Sequence, residues 1–189
     1  KPSKVARTTL IPALTAAYQK DQLLDTAMTN LQPSLDVQYK ISDGLRLDAT
    51  LNPDFSQVEV DQQVTNLTRF NIVFPERRNF FIENSDLFTT LSVAEDINPF
   101  YSRFIGASQD ILAGLKLSGN ISSNTRVGLL NVQSKKEGFE SAQNYTVAVA
   151  KQQFGPVFNT TAYWINRQST NGLSFQEDYN RSAGLKANY

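Results

Sequence analysis

The 189 residues contain no histidine and no cysteine. That removes most zinc sites, every His- or Cys-based catalytic scheme and any disulfide scaffold. No run approaches eighteen consecutive apolar residues, which excludes a helical membrane span but not a β-barrel, whose strands are only half apolar. Charge of one sign is missing as well: 18 Lys+Arg balance 18 Asp+Glu. A net charge of zero gives no electrostatic footprint for nucleic acid and no polybasic membrane anchor. Phosphate-cradling glycine loops and nucleophile elbows are also lacking, and the start at Lys1-Pro2 carries no apolar leader, as expected of a mature form or a piece of a longer protein.

What is present is alternation. Leu35, Val37, Tyr39 and Ile41 are interleaved with Asp36, Gln38 and Lys40; then comes Asp43-Gly44; then Leu45, Leu47, Ala49 and Leu51 alternate with Arg46, Asp48 and Thr50. Period two on both sides of Asp-Gly predicts an antiparallel hairpin with a tight turn, one face apolar and the other ionic. Strands are predicted at residues 7–18, 33–42, 45–52, 110–119, 125–134, 144–153, 157–168 and 181–189. The links at 43–44, 120–124 and 154–156 are short, while those at 19–32, 53–109, 135–143 and 169–180 are long. Outer-membrane barrels have that rhythm, with short periplasmic turns and long outer loops, and an amino terminus on the periplasmic side fits it. The fold expected is all-β, an antiparallel barrel segment of about eight strands spanning residues 1–189, part of a larger barrel. A soluble β-sandwich with its apolar face inward shows the same alternation. Tyr18, Tyr39, Tyr145, Trp164 and Tyr189 suit either interfacial girdles or an ordinary core.

Residues 53–109 are too long for a passive connection. They hold eight of the twelve Phe, eight acidic residues, four Arg and no Lys. Arg in place of Lys suits planar pairing with carboxylates in confined space. The expectation is a folded insert that plugs or constricts a lumen, with Phe70, Phe74, Phe80 and Phe81 as its own small core and Arg69, Arg77 and Arg103 paired to Glu76, Glu83 or lumen carboxylates. Glu76, Glu83 and Asp86 lie close in sequence, but glycosidase chemistry needs two carboxyls at a set separation, which spacing in a loop does not establish. Asp54, Glu59 and Asp61 lack EF-hand spacing, and the five Asn-x-Ser/Thr triplets fall partly within strands, so neither pattern is assigned a function.

Within this insert LNPDFSQVEVD at 51–61, NLTRF at 66–70, FPERRNFFIEN at 74–84 and FYSRFIG at 100–106 resemble a bacterial outer-membrane family. Its members usually carry a family-9-like carbohydrate-binding domain followed by a β-barrel domain of unknown function. The sequence departs from that pattern at Asn79 (Pro expected), Asn84 (Gly expected) and Phe104 (Arg expected). The resemblance implies an outer-membrane barrel serving transport or acting as a surface or periplasm scaffold, with the lipid bilayer, other envelope proteins or glycans as partners. It points to Asn66, Arg69, Phe70, Phe74, Pro75, Glu76, Arg77, Phe80, Phe81, Glu83, Tyr101 and Arg103 as the insert's motif. No catalytic residue, cofactor or metal is assigned. The alternatives are a soluble β domain binding carbohydrate through Trp164, Tyr163 and Tyr101, and a polysaccharide hydrolase.

Overall fold

The computed structural model describes residues 7–21, 26–54, 74–89, 91, 99–170 and 178–189. Its frame is one antiparallel sheet of eight strands in sequence order. These are β1 (Thr8–Asp21), β2 (Thr26–Lys40), β3 (Leu45–Leu51), β4 (Ile111–Asn120), β5 (Thr125–Ser134), β6 (Gln143–Phe154), β7 (Phe158–Ser169) and β8 (Tyr179–Asn188). The sheet is open: among the described residues β1 and β8 do not pair with each other.

Two expectations for the first hairpins are corrected. Residues 19–32 were expected to be a long link, yet β1 and β2 stay paired out to Asp21 and Thr26. The stretch hides its strand because polar residues and Pro33 interrupt the alternation, whereas register against β1 sustains it. Pro33 is tolerated because it pairs with Leu14 on one side only, β3 having ended opposite Leu35. The turn at Asp43-Gly44 is wider than two residues. Pairing between β2 and β3 ends at Lys40 opposite Arg46, with Ile41 and Ser42 N–H both donating to the Leu45 carbonyl, at 3.0 and 3.1 Å. Gly44 serves the neighbouring turn, its carbonyl accepting from Asn120 N–H at 2.7 Å.

Register sorts the side chains of the sheet onto two distinct faces. One cross-strand row runs Tyr39, Leu47, Leu117, Leu129, Ala148, Trp164, Ala183. The adjacent row, one residue along every strand, runs Gln38, Asp48, Lys116, Leu130, Val147, Ile165, Ser182. A one-residue step flips the side chain, so the first row lies wholly on one face and the second wholly on the other. We call the first face outer and the second inner.

The outer face is apolar and uncovered. Leu10, Leu14, Leu31, Tyr39, Leu51, Leu115, Leu129, Trp164 and Leu185 all expose 40% or more of their surface. It turns polar at both strand ends: Asn131 Nδ2 donates to Asn144 Oδ1 and Thr146 Oγ1 at 3.0 and 2.8 Å, and Thr125 Oγ1 to Gln152 Oε1 at 2.6 Å. Of the expected girdle aromatics, Tyr18, Tyr39 and Tyr189 are exposed and Trp164 stands mid-row. Tyr145 instead pairs with Val132 and Arg167 and packs against the buried core.

Candidate functional site

The inner face is the one the insert covers. Its described part holds two short helices, α1 (Asn79–Ile82) and α2 (Asp86–Thr89), and a 3-10 turn at Ser102–Phe104. Phe81, Leu87, Phe88, Leu91, Phe100 and Ile105 from this segment join Ile111, Leu130, Val132, Val147 and Val149 of the sheet in one buried cluster. Among the described residues the insert shows no separate core: Phe81, Phe88 and Phe100 complete the core of the inner face. Phe80 and Phe81 meet edge to face at 5.0 Å, with Phe80 partly buried against the cluster. Asn66, Arg69 and Phe70 lie outside the described residues.

Two glycines seat the insert. A Cβ on Gly114 would stand 2.8 Å from the Phe80 ring, and one on Gly128 would stand 2.8 Å from the Phe88 ring. Both glycines share the inner face of adjacent strands, and an aromatic ring fills each dent left by the missing side chain. Phe88 is buried and leans on Phe100 at 6.3 Å, so it has no room to swing aside. Gly128→Val is thus expected to cost about 1–3 kcal/mol by overpacking, read as a lowered denaturation midpoint. Phe88→Ala in the same chain should recover part of it. If Gly128→Val stabilises the protein instead, as strand propensity alone would have it, Phe88 does not occupy that dent.

Within the insert, Glu76 is the centre of a polar knot. Arg78 grips it with two donors, Nε to Oε1 at 2.8 Å and Nη2 to Oε2 at 2.7 Å, while Ser102 Oγ donates to Oε2 at 2.7 Å. The N–H groups of Arg77 and Arg78 donate to Oε1 at 3.1 and 3.0 Å. Arg78 Nη1 donates to the Ile105 carbonyl (2.5 Å) and Nη2 also to that of Ser102 (2.8 Å), and the guanidinium lies 4.2 Å from the Phe81 ring. Tyr101 Oη donates to the Phe74 carbonyl at 2.8 Å and Arg103 Nη1 to that of Pro75 at 2.9 Å. These bonds tie residues 74–78 to 101–105 across a long gap in sequence. Arg78, rather than the expected Arg77 or Arg103, is the arginine in the bidentate grip.

Burial raises the Glu76 carboxyl, but the Arg78 and Ser102 hydrogen bonds outweigh it and hold it at about 2, below its usual 4.5. A depressed carboxyl adds stability above its unfolded value that is lost as pH falls through the folded one. The knot should therefore loosen between pH 4.5 and about 2. At neutral pH, Glu76→Gln is expected to speed amide exchange of the insert at least tenfold, with little further change on acidification. Equal exchange in both proteins at neutral pH would show that the knot does not hold the insert.

The other carboxylates are each taken by a cation from the sheet. Asp86 pairs with Arg126 at 2.6 Å, and the hydrogen bond from that arginine holds its carboxyl below the usual range. Glu83 meets Arg46 at 3.4 Å. Glu76, Glu83 and Asp86 thus go to three separate cations, Arg78, Arg46 and Arg126.

Lys116, absent from the expected motif, is the largest fully buried side chain among the described residues. Its Nζ donates to the carbonyls of Phe80 (2.5 Å) and Glu83 (3.0 Å), closing the end of α1, and stands 3.7 Å from Asp48 Oδ2. Asn84, where a glycine was expected, does take the left-handed backbone, φ 52°, and its Nδ2 donates to Ser118 Oγ at 3.0 Å. Tyr163 and Trp164 are adjacent on β7 and face opposite sides, so they do not share one stacking surface.

No curated protein and no solved structure matches the chain. A family profile, described as a domain of unknown function (DUF5916), matches residues 5–132, which takes in β1 to β4, the insert and most of β5. The chain belongs to the DUF5916 family.

Proposed function

We propose that this chain forms part of the wall of an outer-membrane β-barrel, and that the insert lies inside it and narrows the lumen. The observation that carries the reading is the uncovered face of the sheet: it bears the apolar row from Tyr39 to Ala183 with polar groups only toward the strand ends, while the ions Arg46, Asp48 and Lys116 sit on the covered face beside the apolar core. A soluble sheet puts water where this one puts leucine. A barrel wall shows lipid an apolar band with polar ends and keeps its charges within. The open sheet is then a segment that further strands would close, and the resemblance to outer-membrane proteins paired with carbohydrate-binding domains agrees with a role in transport or as an envelope scaffold.

The insert's place opposite the apolar face supports a restrictive role. Replacing residues 66–105 of the complete protein by a short Gly/Ser linker, with Leu130 and Val147 changed to Thr to suit a wet lumen, is expected to raise ion conductance in planar bilayers at least severalfold. Unchanged conductance through a folded barrel would remove the restrictive role. A chain that stays monomeric in water without detergent would remove the membrane assignment.

A further inference from the structure

The apolar patch of the outer face does not follow the cross-strand rows of the sheet. It crosses them. The row that starts at Leu10 on β1 runs through Val37, Ala49 and Leu115, then through Asn131, Thr146 and Asn166 to Arg181 on β8. It is apolar on β1 to β4 and polar on β5 to β8. The next row toward the long links changes at the same strand, from Pro12, Leu35, Leu51 and Ala113 to Gln133, Asn144 and Gln168.

Both margins of the patch shift in one direction. On β1 the outward apolar run is Leu10, Pro12, Leu14 and Ala16, and on β8 it is Ala183, Leu185 and Ala187. The row of Leu10, which marks one margin on β1, meets β8 at Arg181, yet the run on β8 continues to Ala187, six residues nearer the short turns. At about 3.3 Å per residue, against about 4.8 Å for each step between strands, the patch is inclined to the rows by about 30°. Strands standing upright in a bilayer would show lipid a patch along the rows. Strands tilted by about 35–45°, as in outer-membrane barrels, show one that crosses them.

Resting on the barrel reading above, we propose that the outer face meets the bilayer along this oblique band, so that depth in the membrane is set by the slant and not by the row. Leu14 on β1 and Leu185 on β8 then lie deep in hydrocarbon. Leu45 shares a row with Leu185, through Gly119, Val127, Ala150 and Ala162, but on β3 that row has left the band. Aromatic rings stand at opposite margins, where headgroups would meet them. Tyr18, 69% exposed, follows Ala16 on β1, while Phe154 and Phe158 pair across β6 and β7 with their rings 5.6 Å apart.

Guanidinium unfolding of the complete protein from phospholipid vesicles tests the slant by arginine substitution at three leucines of the same face. Leu14→Arg and Leu185→Arg are each expected to lower the folding constant at least about thirtyfold, and Leu45→Arg no more than about fivefold. Equal penalties at Leu45 and Leu185 in vesicles would overturn the oblique band and leave the membrane reading standing. Small penalties at all three positions, or a Leu185→Arg penalty just as large for protein folded in water without lipid, would overturn the membrane reading and the band with it.

Discussion

Lys116→Met is expected to lower the stability of the folded chain by about 3–5 kcal/mol, the range for removing one partner of a buried ion pair. Methionine keeps the length and the apolar stem, so the loss is that of charge and donors. Lys116 is 1% exposed and its Nζ caps the Phe80 and Glu83 carbonyls at 2.5 and 3.0 Å. Without it those carbonyls are left unpaired at a buried junction, and Asp48 keeps Arg46 alone. The damage should centre on the insert, because what Lys116 holds is α1. Denaturant unfolding reads the total, and amide exchange at Phe81 and Leu87 reads where it falls. A second substitution, Asp48→Leu, removes the stranded carboxylate and should restore part of the loss, since the two residues act on each other. If the single variant unfolds at the unaltered midpoint, Lys116 is solvated and the insert is not seated on it.

How far this arrangement is legible in the sequence depends on the kind of signal. Thr125–Ser134 is legible to the residue, because Val127 and Leu129 alternate with Arg126 and Gly128 between two clear loop segments. Residues 26–32 carry no strand signal of their own, because what orders them is pairing with β1, and pairing leaves no trace in a stretch whose outward residues are mixed. The same limit hid the seat of the insert. Leu115-Lys116-Leu117 reads as a strand with one wet charge, and only the folded insert makes that charge a buried cap. Glycine ordinarily weakens a strand, yet Gly114 and Gly128 each leave room for a ring arriving from far along the chain. Phenylalanine content in the insert points to core-forming residues but not to their arrangement. It could not say that Phe81, Phe88 and Phe100 would share a core with Leu130 and Val147 rather than pack among themselves. Choosing Arg78 over Arg77 as the partner of Glu76 was beyond spacing as well, since both neighbours are within reach of the same carboxylate and Ser102 and Ile105 decide which one is drawn in.

Leu129→Arg is expected to cost about 2–4 kcal/mol in a bilayer and within about 0.5 kcal/mol in water. The gap arises because Leu129 is 43% exposed and stands mid-row between Leu117 and Ala148. On a wet sheet an exposed leucine replaced by arginine loses little packing. In hydrocarbon the same guanidinium must keep its charge with no counterion, since the neighbours in its row are apolar. Position along the strand supplies the control. Asn131 faces the same side two residues further on, where the face turns polar through its bonds to Asn144 and Thr146. Near the edge of an apolar band an arginine costs only about 0–1 kcal/mol. Asn131→Arg should therefore be mild in the same vesicles where Leu129→Arg is severe, measured as unfolding midpoints in guanidinium. A steep difference between two positions on one face of one strand is a depth effect, which solvent water does not produce. Two small and equal costs would mean that the face from Tyr39 to Ala183 meets water or another protein, and the barrel reading would go with it.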